Sequence, residues 1–375
     1  MIRKSDIQWW LLEANKHPES APLIIEELAR RLVELDTENE RLRTEILRLR
    51  RRSARATSGT EMETLQRRVQ TLTDLLQHHD AQGTALVLLG EGLAAARMTL
   101  SSALDRAQQH GQALHQQAAL QFRSALLVQP GDDLLALTTH GRGLWLLPAD
   151  LPALPADGNW PAAAHSDLKP GEQVAVIVSV RDRPRFWTIV TRRGYVQRFV
   201  RVAFDQKLAQ GHQLVQSPVH NDEPAAIVDG DHGELLLVSR WGQALLFSQR
   251  TIEPQGSVAM DLEPGDEIAA ALALSTDGEI VLATASGYAS RRDTASLAAR
   301  TKLSAPGRSL IQAHDVIALF PYTPRSRLLY LAFSGRLASA SLSGLPQQDR
   351  AGKGAVVCDL SGDPAIAVIC VPEAL

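Results

Sequence analysis

The chain is poor in cysteine, in long apolar runs and in net charge, and each shortage narrows what it can be. Only Cys358 and Cys370 occur, both inside apolar, strand-like runs. They read as core thiols rather than a disulfide framework, which places the protein in the cytoplasm. No apolar stretch nears the roughly 18 residues that cross a bilayer, so no membrane partner is expected. Met1–Ser20 has only a short, charge-broken apolar patch at Trp9–Leu12 and no signal-peptide core. No P-loop, no Gly-x-Ser-x-Gly and no His/Cys metal spacing is present. No enzyme, cofactor or metal site is expected on these grounds.

Net charge is −3 over 375 residues, too small for a global pull on nucleic acid. Residues 1–129 carry 17 Lys and Arg against 16 Asp and Glu, or +1, and residues 130–375 carry 22 against 26, or −4. Phosphate neutralisation supplies most affinity for DNA, so this balance counts against a DNA-wrapping surface and favours a protein partner.

What is present is a phrase repeated five times: an apolar strand, a polar turn with glycine, a second strand. The copies are Leu134–Leu147, Trp187–Val200, Leu235–Ser248, Ile280–Asp293 and Leu329–Leu342, with turn glycines Gly141, Gly194, Gly242, Gly287 and Gly335. Successive glycines are 53, 48, 45 and 48 residues apart. Between the hairpins recurs an extended run introduced by an acidic or glycine turn, as in Leu168–Val180, Asn221–Gly230, Leu262–Leu274, Ala313–Tyr322 and Leu360–Val371. Propeller blades take about 40 to 50 residues each, and a blade buries both faces only against neighbours. The period therefore predicts an all-β propeller over 130–375, five-bladed, with six as the alternative.

Ahead of the repeats, after a segment 1–21, residues 22–129 read as a helical coiled-coil region with a break near 53–60. Ile25, Leu32 and Ile46 fall at heptad a positions, with Asn39 the one polar a; Leu28, Leu35, Leu42 and Leu49 fall at d. Leu at d with a single a-position Asn favours a two-stranded, parallel pairing of this chain with itself. An amphipathic helix packed on its own chain is the other reading. Arg48, Arg50, Arg51, Arg52 and Arg55 cluster just before the break, either as a solvated helix end or as a nucleic-acid contact. A seven-residue spacing continues through Leu93, Leu100, Ala107 and Leu114, which extends the helical expectation. His78 and His79 have no partner at metal spacing and read as a solvated helix face. The fold class is thus α and β in separate domains.

Val190-Thr191-Arg192-Arg193-Gly194-Tyr195-Val196-Gln197-Arg198 and Leu262-Glu263-Pro264-Gly265-Asp266-Glu267-Ile268 resemble the repeats of the C-terminal β-pinwheel of DNA gyrase A and topoisomerase IV. Gln348-Asp349-Arg350-Ala351-Gly352-Lys353-Gly354 is similar to that family's box, Gln-Arg-Arg-Gly-Gly-Lys-Gly, agreeing at five of seven positions. The resemblance implies a non-catalytic disc that binds duplex DNA and bends or wraps it on its rim, nucleoid-associated in the cell. Bending a short duplex costs a few kcal/mol and needs many backbone contacts to offset it. Candidate contacts are Arg192, Arg193, Arg198, Arg201, Arg240, Arg291, Arg292, Arg336, Arg350 and Lys353, with Gly352 and Gly354 letting backbone amides approach a phosphate.

The resemblance departs from the family at three points. The box-like segment sits in the last repeat rather than the first. A basic residue four after the turn glycine survives only at Arg198 and Arg291, and the repeat region's balance is −4. Ala94–Thr99 resembles the family's cleavage motif, but Met98 stands at the tyrosine position and a thioether cannot form the phosphodiester link. The remaining reading is a scaffold whose propeller recruits a protein partner.

Overall fold

Leu235–Val238 is apolar at every position, as a strand must be when both its faces are covered. In the computed structural model its alternate side chains enter two different cores: Leu235 and Leu237 pack toward one neighbouring sheet, Leu236 and Val238 toward the other. The structure describes residues 83–90, 94–108, 122–148, 151–154, 168–231, 233–274, 278–297, 299, 302–360 and 362–372. These belong to one compact unit, Gly83–Leu375.

Among the described residues six sheets form the blades. Blade 1 holds β1 (Ala85–Leu89), β2 (Ala95–Thr99) and, after helix α1 (Leu100–Gln108), β3 (Ser124–Val128). Blade 2 holds β4 (Asp133–Thr138), β5 (Gly143–Leu146) and β6 (Val174–Val180). Blade 3 is built on β7 (Phe186–Thr191) and β8 (Tyr195–Val200), and after helix α2 (Arg201–Ala209) on β9 (Pro224–Asp229). Blade 4 takes β10 (Glu234–Ser239) and β11 (Gln243–Ser248). The short pieces β12 (Ser257–Val258) and β13 (Met260–Asp261) then precede its third strand, β14 (Ile268–Leu274). Blade 5 takes β15 (Glu279–Thr284) and β16 (Tyr288–Asp293); β17 (Ala305–Pro306) and β18 (Arg308–Ser309) precede its third strand, β19 (Val316–Pro321). Blade 6 takes β20 (Ser326–Ala332) and β21 (Leu337–Ser341), and β22 (Ala355–Val356) precedes its third strand, β23 (Ala365–Pro372).

The third strands touch in the cycle β3, β6, β9, β14, β19, β23 and back to β3, which closes the ring. Six hydrophobic cores alternate with the six blades, the last joining Leu86 and Leu88 of blade 1 to Leu329, Leu331 and Ile369 of blade 6.

The outer edge of a blade is supplied by the following repeat. β12 runs back to pair with β8, β18 with β11 and β22 with β16, while Gln213 bridges Arg142 on the edge of blade 2. An amide of each returning segment donates to the carbonyl of the turn glycine it crosses: Leu214 to Gly141 (2.7 Å), Ala259 to Gly194 (2.8 Å), Leu310 to Gly242 (2.9 Å) and Val357 to Gly287 (3.0 Å). At blade 6, α1 packs against β21, burying Leu100, Ala103 and Ala107 beside Leu337.

Residues 130–375 are mostly β, with α2 the one α-helix among their described residues, and hold five blades; the sixth, the alternative count, lies ahead of them at 85–128. The helical expectation up to residue 129 does not hold. Residues 85–99 and 124–128 are strands, and only Leu100–Gln108 keeps the helical spacing. Leu86–Leu89 is an apolar run buried on both faces, and periodicity does not separate such a run from a buried helix. The Ala-rich Ala94–Thr99, also expected to be helical, pairs with β1 and sets Met98 opposite Leu86. The heptad residues Ile25 to Leu49, the break near 53–60, and His78 and His79 lie outside the described residues.

The turn glycines take positive φ, +75° at Gly242, and a Cβ at Gly242 would also meet the Ile311 carbonyl. Gly131 has φ +86° with open space around it. Gly131→Ala therefore carries only backbone strain, about 1 kcal/mol, and Gly242→Ala is expected to cost at least about 1 kcal/mol more. Denaturant melts of the two variants check the difference; equal losses would show that the glycine's contact with the returning segment is energetically idle.

Candidate nucleic-acid interface

In blades 2 to 6 an acidic turn before the third strand grips the hairpin turn beside it. Asp222 accepts from the Arg193 amide (3.0 Å) and the Thr191 hydroxyl (2.6 Å). Asp266 accepts from the Trp241 amide (3.1 Å), Asp315 from the Ser286 amide (2.8 Å) and Asp363 from the Ser334 amide (3.0 Å). In all four the donor immediately precedes the turn glycine. Blade 2 uses a longer acid. Glu172 accepts from the Thr138 hydroxyl (2.5 Å), the Lys169 amide (2.9 Å) and Arg142 Nε (2.9 Å), and Arg142 Nη2 also donates to it.

Most of the candidate arginines are held in similar internal pairs. Arg192 lies 3.6 Å from Glu223 and 3.2 Å from Glu267, and Arg240 lies 3.0 Å from the same Glu267. Burial alone would raise the Glu267 carboxyl, but the two arginines outweigh it and hold it below the usual range. Arg198 gives two N–H groups to the Gly230 carbonyl (3.1 and 2.7 Å) and stacks 3.9 Å above the Phe186 ring. Arg291 binds both oxygens of Glu279 (2.9 and 2.7 Å) and covers the Tyr322 ring at 3.9 Å. Arg336 sits 3.7 Å from Asp363. The two basic positions shared with the family's repeats, Arg198 and Arg291, are thus committed within the blade.

The remaining candidates differ. Arg193, Arg201, Arg350 and Lys353 are exposed. Arg193 is at the hairpin turn of blade 3 and Arg201 begins α2. Arg350 and Lys353 lie on the box-like loop, with Gly352 and Gly354. That loop is pinned along the outer edge of blade 5. The Gln348 amide donates to the Arg291 carbonyl (2.9 Å), Ser290 meets the Gln348 side chain (2.8 Å), and the Gln312 amide donates to the Gly352 carbonyl (2.8 Å). A Cβ on Gly354 (φ +82°) would lie 2.7 Å from the Ala289 carbonyl, so glycine there permits the close pass. Arg292 is 3% exposed beneath the loop, its Nη2 donating to the Asp349 carbonyl at 3.3 Å.

The structure therefore brings together Arg292, Arg350, Gly352, Lys353 and Gly354, and leaves Arg192, Arg193, Arg240 and Arg336 at hairpin turns of other blades. It also adds Lys302 and Arg308, both exposed on the segment returning to blade 4. A recurring glycine in the returning segments, Gly211, Gly256, Gly307 and Gly354, was the available signal for that segment. A cleft of about 810 Å³ near the turns of blades 2 and 3 is lined in part by His140, Lys169, His212, His220 and Asp222 and does not include the arginine group. Among the described residues no cluster of His, Cys, Asp or Glu is placed to hold a metal, and no helix is long and apolar enough to cross a membrane.

No family model matches the chain. Among curated proteins it is similar to the DNA gyrase A protein of Mycobacterium leprae (strain TN), 26% identical over 171 residues, a match covering 43% of this chain and 13% of that protein. The chain therefore corresponds to a small part of that relative's length. Among solved structures it is similar to a DNA gyrase A C-terminal domain, with TM-score 0.62 and 16% identity, covering 77% of this chain and 99% of the other. It is also similar to the C-terminal domain of DNA topoisomerase IV, with TM-score 0.52 and 19% identity, covering 77% and 94%. The fold is the gyrase A C-terminal β-pinwheel.

The Glu172 clamp has a measurable consequence. Burial pushes its carboxyl up, but Arg142, Thr138 and the Lys169 amide outweigh burial and hold it at about 2, against 4.5 for a free glutamate. Because the folded value is the lower one, the stabilisation is complete above pH about 4.5 and is lost as pH falls toward 2. It is worth about 3 kcal/mol. Glu172→Gln should destabilise the protein at pH 7 and flatten its stability profile across that window; urea titrations at stepped pH check both.

Proposed function

We propose that this pinwheel is a non-catalytic DNA-binding module that takes duplex DNA along its rim and bends it. The observation that carries the reading is the gyrase A C-terminal fold together with exposed basic residues on the returning segments: Lys302 and Arg308 toward blade 4, Arg350 and Lys353 toward blade 5. Rim cations meet phosphates, and phosphate contacts position a protein without reading sequence. Binding should accordingly be sequence-tolerant and salt-dependent.

The acidic balance that favoured a protein partner weighs less once its members are located. Glu172 is 4% exposed and Asp266 1% exposed, and Asp222, Asp315 and Asp363 are spent on turns. Several arginines are internal too, so net charge describes the rim poorly in either direction. No catalytic step is assigned: Met98 is a strand residue packed against the core between blades 1 and 6. Pairing of two chains through the heptads of residues 22–50 would bring two discs to one duplex and raise apparent affinity by proximity.

The test is gel-shift titration with duplexes of about 40 and 150 base pairs. Retardation at 50 mM salt is expected, weakening with a log–log slope of about −0.9 per phosphate contact. Protection of a longer stretch on the 150-mer, with altered circularisation of small DNA, would mark bending. Absence of retardation of both duplexes at 50 mM salt would overturn the reading.

A further inference from the structure

We infer that Arg292 and Arg308 form a seat for a single phosphate group beneath the box-like loop, where the edges of blades 4 and 5 adjoin. The inference rests on the DNA-binding reading but locates its anchor at residues other than those the repeat pattern emphasises.

Arg292 faces away from its neighbour Arg291, as successive residues of a strand must. Arg291 is consumed by Glu279 and Tyr322, whereas Arg292 is buried with Nε and Nη1 lacking any acceptor among the described residues. A buried donor left unpaired costs about 1–3 kcal/mol, more when the group is charged. Here a second cation adds to the cost. Burial and the Arg308 charge both press the Arg292 guanidinium below the usual arginine range, with only Asp349 opposing them. Among the described residues Arg292 itself meets the Asp349 carbonyl and the Asp349 charge. An anion would satisfy the open donors and relieve the repulsion between the two arginines.

The surroundings suit a phosphate. Ile311 bridges Gly352, so the segment carrying Arg308 runs beside the loop carrying Arg350 and Lys353. Gly352 has open space where a Cβ would stand, so no side chain there comes between the loop backbone and an approaching oxygen. At the same repeat position the second strands of blades 3 and 4 carry Phe199 and Phe247, so a buried guanidinium there is particular to blade 5. One rim position therefore stands out from the repeat. The shared chemistry is a phosphate, from a duplex backbone or from free pyrophosphate.

The experiment uses the full chain, its Arg308→Gln and Arg292→Gln variants, and Arg325→Gln as a control that removes an exposed charge at a turn of blade 6. Each is titrated with a 40-base-pair duplex over a salt series and, separately, melted with and without inorganic pyrophosphate. Wild type should bind the duplex; Arg308→Gln should weaken binding about three- to tenfold and reduce the salt slope by about one, with the control nearly unchanged. Pyrophosphate should raise the Tm of wild type and not of Arg308→Gln. If the duplex binds and Arg308→Gln behaves as the control does, the seat is wrong and the DNA reading stands. If no duplex binds yet pyrophosphate stabilises wild type and not Arg308→Gln, the seat stands and the DNA reading fails. Neither response overturns both. Should Arg292→Gln fail to fold, Arg308→Gln still decides, because Arg308 is exposed.

Discussion

The disc depends on one hydrogen bond made four times among the described residues, from an amide of each returning segment to the carbonyl of the turn glycine in the blade before it. A sheet edge left bare offers unpaired N–H and C=O groups to any other chain. Here the next repeat covers it, and the covering strand needs only two residues because the glycine carbonyl extends the ladder past the strand's end. Glycine serves twice at that point. Its positive φ makes the turn, and its missing Cβ admits the carbonyl of Val215, Met260, Ile311 or Cys358.

The same economy governs charge. Asp222, Asp266, Asp315 and Asp363 each replace a missing backbone partner at a hairpin turn, and Glu172 does so with help from Arg142. Arg192 and Arg240 share Glu267, and Arg291 closes on Glu279. A surface ion pair contributes little to stability, yet these pairs decide where cations can meet a ligand. Charges on the turns mostly build the blades, and charges on the returning segments stand exposed.

Much of the disc was legible in sequence because the turn glycines and the alternating apolar runs are local signals. The acidic turns were legible as a second phrase, though not as clamps. Blade 1 was hidden by the unbroken Leu86–Leu89 run and by alanines at 94–96 that read as helix formers. Two-residue strands such as Arg308–Ser309 carry no periodicity at all. The roles of the arginines were illegible for another reason. Arg192 meets Glu267, and Arg291 reaches the Leu345 carbonyl (3.2 Å), across separations that only the folded ring closes. A count of basic residues at one repeat position therefore selected Arg198 and Arg291, the two most fully occupied by their own blade.

Because the outer edges of blades 2 to 5 are borrowed, the blade and the unit of inheritance are out of step. A segment cut from the end of one blade to the end of the next would leave a bare edge behind and carry a surplus one away. The run that can be copied or deleted cleanly goes from one third strand to the next and takes its returning segment with it. Growth or loss of such a ring in evolution, and any attempt to graft a blade between relatives, is constrained to that offset phase.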